Sequence, residues 1–233
     1  MPDTAALATA KIPWPLMLFS GFLAAAGLPL YVNLPHVAAS LGMSLSGIGL
    51  LLIGLRVLDF VQDPILGLLI DRFRDQRRKI AGLAILGMSV GFAATFTLQP
   101  GLAGMTLALI LLFTAYSLAS ILFYAQGVAI AETGGAGAHL RLAGYREAGA
   151  LAGILIASAA PSLLIGFLGE KAGYAVFGAA LAVAGLLIWR LSLGLWLASP
   201  KAPPRFSPAD FLRAGGGRLL TLGLVNSLPV GIT

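Results

Sequence analysis

The chain of 233 residues is 58% hydrophobic and only 10% charged, with a mean hydropathy of +0.94, against roughly 25% charged residues in a soluble domain. Too few polar groups are present to cover a water-soluble body of this size, so a soluble globule is excluded and lipid is the solvent for most side chains. Cysteine is absent, which excludes a disulfide scaffold and a thiolate metal site, and the net charge of +6 does not signal nucleic acid because most of the 15 Lys and Arg fall between apolar runs.

Asp3 and Lys11 precede the first apolar run without the short hydrophobic region and small-residue cleavage site of a removable signal, so the first span is expected to stay in place. Residues 12–55 hold 44 positions without a formal charge, twice the about 20 needed for one crossing. The break at Leu41, Gly42, Met43 and Ser44 predicts a first helix over 14–39, bent by Pro29 and Pro35, and a second over 45–70. Further uncharged runs over 80–98, 102–131, 148–169 and 172–189 make six spans. The polar stretch 199–218 then reads as a cytoplasmic linker. Within it Ser207, Pro208 and Asp210 form the start signal of a short interfacial helix. Residues 219–233 read as the truncated start of a seventh membrane helix, since fifteen residues rise only about 23 Å against a hydrocarbon core of about 30 Å. The expected organisation is a six-helix bundle over 1–198, the linker, and that partial helix.

With the N-terminus cytoplasmic, the loops on that side hold Lys11, Arg72, Arg74, Arg77, Arg78, Lys79, Arg141, Arg146, Lys201, Arg205, Arg213 and Arg218, whereas the opposite side holds Lys171 alone. The positive-inside rule therefore orients the chain. Arg190 at the end of the sixth span reads as a side chain snorkelling to the interface.

Arg56, Asp59 and Asp63 lie inside the second span. At about 100° per residue Asp59 stands about 300° and Asp63 about 340° from Arg56, so the three share one face. Ionisable groups at membrane depth normally point into a bundle or cavity and mark a pathway. One guanidinium and two carboxylates sum to −1, and either a proton or a small hard cation such as Na⁺ supplies the balance. The alternative is a structural Arg56–Asp59 pair with Asp63 near the wet cytoplasmic surface. On the fourth span Ser117, Ser120 and Tyr124, three and four residues apart, share a face as well. That stripe either lines a cavity or makes ordinary helix–helix hydrogen bonds.

The stretch from Leu55 to Gly67, with Arg56, then Asp three and seven residues on, then Pro64 and Gly67, resembles the second helix of the glycoside-pentoside-hexuronide:cation symporters. Asp71-Arg72 and the basic Arg77-Arg78-Lys79 that follow are similar to the loop signature of the wider major facilitator superfamily. The resemblance covers essentially the whole chain. It implies an all-α membrane protein, the N-terminal six-helix bundle of a twelve-span transporter plus a truncated seventh helix, whose C-terminal six-helix half is missing from this chain. It also implies cation-coupled symport of a sugar or glycoside-like solute by alternating access in the plasma (inner) membrane. The family's cation site falls on Asp59, Gln62, Asp63 and Ser117, where Gln62 and Ser117 stand for its usual Asn and Thr. Asp59 and Asp63 are metal ligands if the coupling ion is Na⁺, and Arg56 balances their charge. Arg146, Tyr124 and Ser120 fall in the solute region, and Asp71, Arg72, Arg77 and Arg78 at the cytoplasmic gate. The sugar-binding acids of the family's melibiose-carrying members align with Leu23 and Ser120. A proton-coupled carrier of a non-sugar or amphiphilic solute, and a non-transporting fragment, are the alternatives.

The partners expected are a small-molecule solute and the lipid bilayer. No cofactor is expected beyond the coupling ion, Na⁺ or H⁺, and no nucleic acid. His36 and His139 read as distant from each other and from the acids, so no two-His metal site is predicted. The loop 133–137 lacks the Lys-Ser/Thr ending of a phosphate cradle and reads as a flexible connection. Gly149 and Gly153 read as a close helix contact. No enzyme is expected, because one would need a nucleophile–base pair or a metal set, and the one His at helical spacing from a serine, His36 before Ser40, has no acid at helical spacing to orient it.

Overall fold

The computed structural model describes residues 14–40, 42–98, 102–133, 135, 137–197, 217, 218 and 222. The chain divides into a body over 1–200 and a segment over 201–233. In the segment Gly217, Arg218 and Leu222 are helical. The linker helix expected around Ser207 and, apart from Leu222, the seventh run lie outside the described residues.

The described body is helical throughout, with no strand among the described residues. Its helices are α1 (Trp14–Ala25), α2 (Leu28–Ser40), α3 (Leu45–Arg72), α4 (Arg77–Phe92), α5 (Leu102–Thr133), α6 (Ala138–Leu168) and α7 (Glu170–Leu191). A 3₁₀ turn over Arg74–Gln76 leads into α4, a π-helical turn over Ala93–Leu98 extends it, and a 3₁₀ turn over Leu193–Leu197 follows α7. Five helical segments are long and apolar enough to cross a bilayer: Trp14–Ala39, Arg74–Leu98, Ala103–Glu132, Ala138–Leu168 and Glu170–Leu191. The 28 residues of α3 rise about 42 Å, long enough to be the sixth.

The predicted first helix is two helices end to end. Pro29 has no N–H for the Ala25 carbonyl, so the ladder stops at Ala26 and Gly27 and restarts with Pro29 in the first turn of α2, where a missing N–H costs nothing. Asn33 steadies the restart by donating from Nδ2 to the Pro29 carbonyl at 2.8 Å. Pro35 is carried inside α2. The break before the second span falls where expected. Gly42 takes φ +83, a left-handed conformation that favours glycine, and the Ser44 hydroxyl caps α3 by accepting the Gly47 N–H at 3.1 Å. The fifth helix begins ten residues earlier than its uncharged run, at Ala138 in place of Ala148.

The core takes buried residues from all seven helices, and aromatic contacts within it link α1, α4 with its π-helical extension, α5 and α7. Phe19 of α1 stacks on Phe123 of α5 at 5.0 Å between ring centroids and meets Trp196 edge-on at 5.3 Å. Phe22 meets Phe92 of α4, and Phe96 packs against Tyr174 and Phe177 of α7. On the far side α6 crosses α1 with the backbones in contact. A Cβ on Gly149 would strike the Met17 carbonyl, and one on Gly153 would strike the Gly21 carbonyl. This is the close small-residue packing that membrane helices use in place of a hydrophobic driving force. Large apolar side chains such as Phe60, Leu155 and Phe167 remain exposed on α3 and α6, a surface suited to lipid or another helix and not to water.

Candidate functional site

The second-span charges and the fourth-span hydroxyls meet where α3 packs along α5. Gln62, buried between the helices, donates from Nε2 to Asp59 Oδ1 at 3.0 Å and accepts on Oε1 from Thr114 Oγ1 at 2.8 Å. One turn further along, the Ser117 hydroxyl donates to Asp63 Oδ1. Two acids of α3 are thus connected to hydroxyls on α5, Asp63 directly and Asp59 through Gln62. Asp63 lies exposed on this face and Asp59 partly buried.

Arg56 sits one turn from Asp59 but does not grip it. Its Nη1 is 3.9 Å from Asp59 Oδ2, beyond hydrogen-bond reach. The guanidinium instead lies 4.8 Å over the ring of Tyr31 on α2, a cation–π contact. Tyr31 in turn packs its ring 5.5 Å from that of Phe113. Tyr116 of α5, which carries a hydroxyl toward the same region, is within electrostatic range of Asp59, Arg56 and Tyr124.

With all three groups ionised this cluster carries −1, and the two carboxylates with the Ser117 oxygen offer the lone pairs a small cation takes. Gln62 differs from expectation: as oriented it presents a donor to Asp59 while its oxygen is taken by Thr114, so ligation by Gln62 requires the amide to turn over. Among the described residues no three His, Cys, Asp or Glu side chains gather into a metal-holding group, which leaves a cation here dependent on neutral oxygens beside the two acids.

A second cleft, about 140 Å³, runs between α5 and α6. Its polar lining is Tyr124, His139 and Arg146. The Arg146 guanidinium lies 4.7 Å over the Tyr124 ring, and its Nε and Nη2 donate to Glu147 Oε1 at 3.2 and 3.0 Å. The Ser20 hydroxyl of α1 donates to the Arg146 carbonyl at 2.7 Å. The structure therefore brings Arg146 and Tyr124 together, with Ser120 one turn away on α5. His139, expected in a loop, belongs to the first turn of α6 and lines the same cleft. Leu23 is 6% exposed and belongs to the core instead of a cavity wall.

At the α3–α4 turn the expected gate residues part company. Asp71 accepts on Oδ1 from Arg74 Nη2 at 3.2 Å, while Arg72 and Arg78 are exposed. Arg77 departs from the expectation of a surface gate. It is 5% exposed and donates from Nη1 to Gln126 Oε1 at 3.5 Å, and Gln126 Nε2 donates to the Leu195 carbonyl at 2.7 Å. As the first residue of α4 its side chain turns toward α5, so it ties α4, α5 and the last turn of the bundle. Sequence reasoning passed over Tyr31, Thr114 and Gln126. Thr114 stands three residues before Ser117 on the same helical face, the one signal that pointed to it.

No curated protein and no solved structure matches the chain significantly. A family model described as MFS/sugar transport protein matches residues 18–195, from the second turn of α1 to the turn after α7. That match spans most of a body built from membrane-length apolar helices, and the chain belongs to the MFS/sugar transport protein family, membrane transporters of the major facilitator superfamily.

Proposed function

We propose that this is the N-terminal half of a cation-coupled symporter of the glycoside-pentoside-hexuronide type, carrying a small sugar or glycoside-like solute. The observation that carries the reading is the α3–α5 cluster, in which two acids of the second span are held by hydroxyl and amide groups while the guanidinium of Arg56 lies over a tyrosine ring. An acid pair left one positive charge short is a site whose occupancy follows a cation gradient. Asp59, Asp63 and Ser117, with Gln62 after rotation of its amide, bind the coupling ion, Na⁺ or H⁺. Arg146, Tyr124 and Ser120 contribute the solute pocket, one to two turns along α5 from the ion.

Coupling follows if solute binds well only when the acid pair is neutralised, which is a difference in affinity between two states. The partner is a second six-helix half. The two halves rock about the central site in alternating access, and Asp71, Arg72 and Arg78 meet that half at the cytoplasmic side of the plasma (inner) membrane, where the N-terminus also lies. A second reading, a proton-coupled carrier of a non-sugar or amphiphilic solute, is favoured by one observation: the positions aligned with sugar-binding acids are a core leucine, Leu23, and Ser120. Without that carboxylate pair a bidentate grip on sugar hydroxyls is lost.

The test is uptake by vesicles containing the full-length protein, with Na⁺ and H⁺ gradients imposed separately against a panel of glycosides and amphiphiles. Gradient-driven glycoside accumulation supports the first reading and H⁺-driven accumulation of an amphiphile the second. No response to either gradient removes both.

A further inference from the structure

Arg56 has two partners within reach and takes the weaker one. Its spacing from Asp59, three residues along α3, allows a charge-assisted pair, normally about 2.7–2.9 Å long and strong in a low-dielectric setting. The observed separation is 3.9 Å, and the guanidinium rests 4.8 Å over Tyr31. Tyr31 is fixed for this purpose: its ring is backed by Phe113, and its hydroxyl is buried with no hydrogen-bond partner among the described residues. The ring, not the hydroxyl, is therefore the part of Tyr31 that acts. Both line a groove of about 370 Å³ whose other walls are the apolar Leu52, Ile53, Val57 and Phe60, so no second acid on that wall competes with the ring for Arg56.

We infer that Tyr31 is a positioning residue that holds Arg56 away from Asp59 and so keeps that carboxylate available to the coupling ion. Were Arg56 to close on Asp59, the acid would already be neutralised and a mobile cation would find only Asp63. The role rests on the proposed cation-coupled reading, but the geometry it depends on is measurable without transport.

The test has two arms on the same variants, Tyr31→Phe, which keeps the ring, and Tyr31→Leu, which removes it. In the first, a double-mutant cycle of Arg56→Gln and Asp59→Asn is run on thermal unfolding of the purified protein in detergent, in wild-type, Tyr31→Phe and Tyr31→Leu backgrounds. Only a weak Arg56–Asp59 coupling is expected with a ring at position 31, because the charges stand 3.9 Å apart without a hydrogen bond. In Tyr31→Leu a further stabilising coupling of about 3–12 °C is expected, the shift one hydrogen bond to a charged group gives a body of this size. Equal coupling in all three backgrounds, or strong coupling already in wild type, overturns the inference. Tyr31→Met replaces Tyr31→Leu should the latter fail to fold.

In the second arm, the half-saturating concentration of whichever ion drives uptake should rise about three- to thirtyfold in Tyr31→Leu, the range set by an exposed or desolvated cation–π contact. It should stay unchanged in Tyr31→Phe. A rise of the same size in both variants assigns the effect to the hydroxyl and overturns the role of the ring. If wild type answers neither gradient, the symport reading falls while the cycle still decides whether Tyr31 holds Arg56.

Discussion

Replacing Gly153 by alanine probes the α1–α6 crossing beside the proposed solute cleft. The added Cβ would meet the Gly21 carbonyl oxygen, with the Gly21 Cα 2.6 Å away. These are backbone atoms that cannot rotate aside, so α1 and α6 must separate. Overpacking at one site costs about 1–3 kcal/mol. Alanine also gains helix propensity over glycine by about 0.8–1 kcal/mol, and the control for that gain is Gly166→Ala on the same helix, whose Cβ has nothing within 4 Å. The difference between the two variants isolates the packing term. At about 2–4 °C per kcal/mol for a body of this size, Gly153→Ala should unfold about 2–12 °C below Gly166→Ala. Because Ser20 of α1 holds the Arg146 carbonyl, the separation should also disturb Arg146 over Tyr124 and weaken solute uptake, while Gly166→Ala leaves it intact. Thermal unfolding of the purified proteins in detergent reads the first effect. Equal midpoints for Gly153→Ala and Gly166→Ala would refute the backbone contact.

Gln126→Leu removes the acceptor of the buried Arg77 guanidinium and the bond to the Leu195 carbonyl. A hydrogen bond to a charged group is worth about 1.5–3 kcal/mol, so the midpoint should fall about 3–12 °C, and Arg77→Met added to it should restore part of the loss. Arg146→Lys keeps the charge but loses the planar stack on Tyr124 and the fork to Glu147. Its half-saturating solute concentration should rise about two- to thirtyfold, with that of the driving ion unchanged, as initial uptake rates at varied solute and ion will show.

Much of the fold is written in the charge-free runs, because a bilayer of fixed thickness demands runs of fixed length. Two boundaries were not legible in hydropathy. The first turns of α6 carry His139, Arg141, Arg146 and Glu147, which read as loop by polarity, although His139, Leu142, Ala143 and Arg146 already had helical spacing for one face against α5. The split between α1 and α2 was written as a bend, whereas Pro29 interrupts the ladder outright. At the site, the shared face of Arg56, Asp59 and Asp63 follows from rotation along one helix, whereas the hydrogen bond from Ser117 to Asp63 joins two helices. The partners Thr114 and Tyr31 come from other helices, and which residues face each other across a crossing depends on packing that no single-helix period encodes. Arg77 was read as surface because it sits in a basic run, yet its position as the first residue of α4 turns it inward.

The central claim is that Asp59 and Asp63 bind the ion that drives transport. The most direct measurement is steady-state solute accumulation by vesicles containing the full-length protein under an imposed Na⁺ or H⁺ gradient, with Asp59→Asn and Asp63→Asn compared at matched membrane insertion. Each variant should equilibrate solute without concentrating it, because an amide neither needs nor holds the cation. Accumulation at the wild-type level in both would contradict the account and return the cluster to a purely structural part in joining α3 to α5.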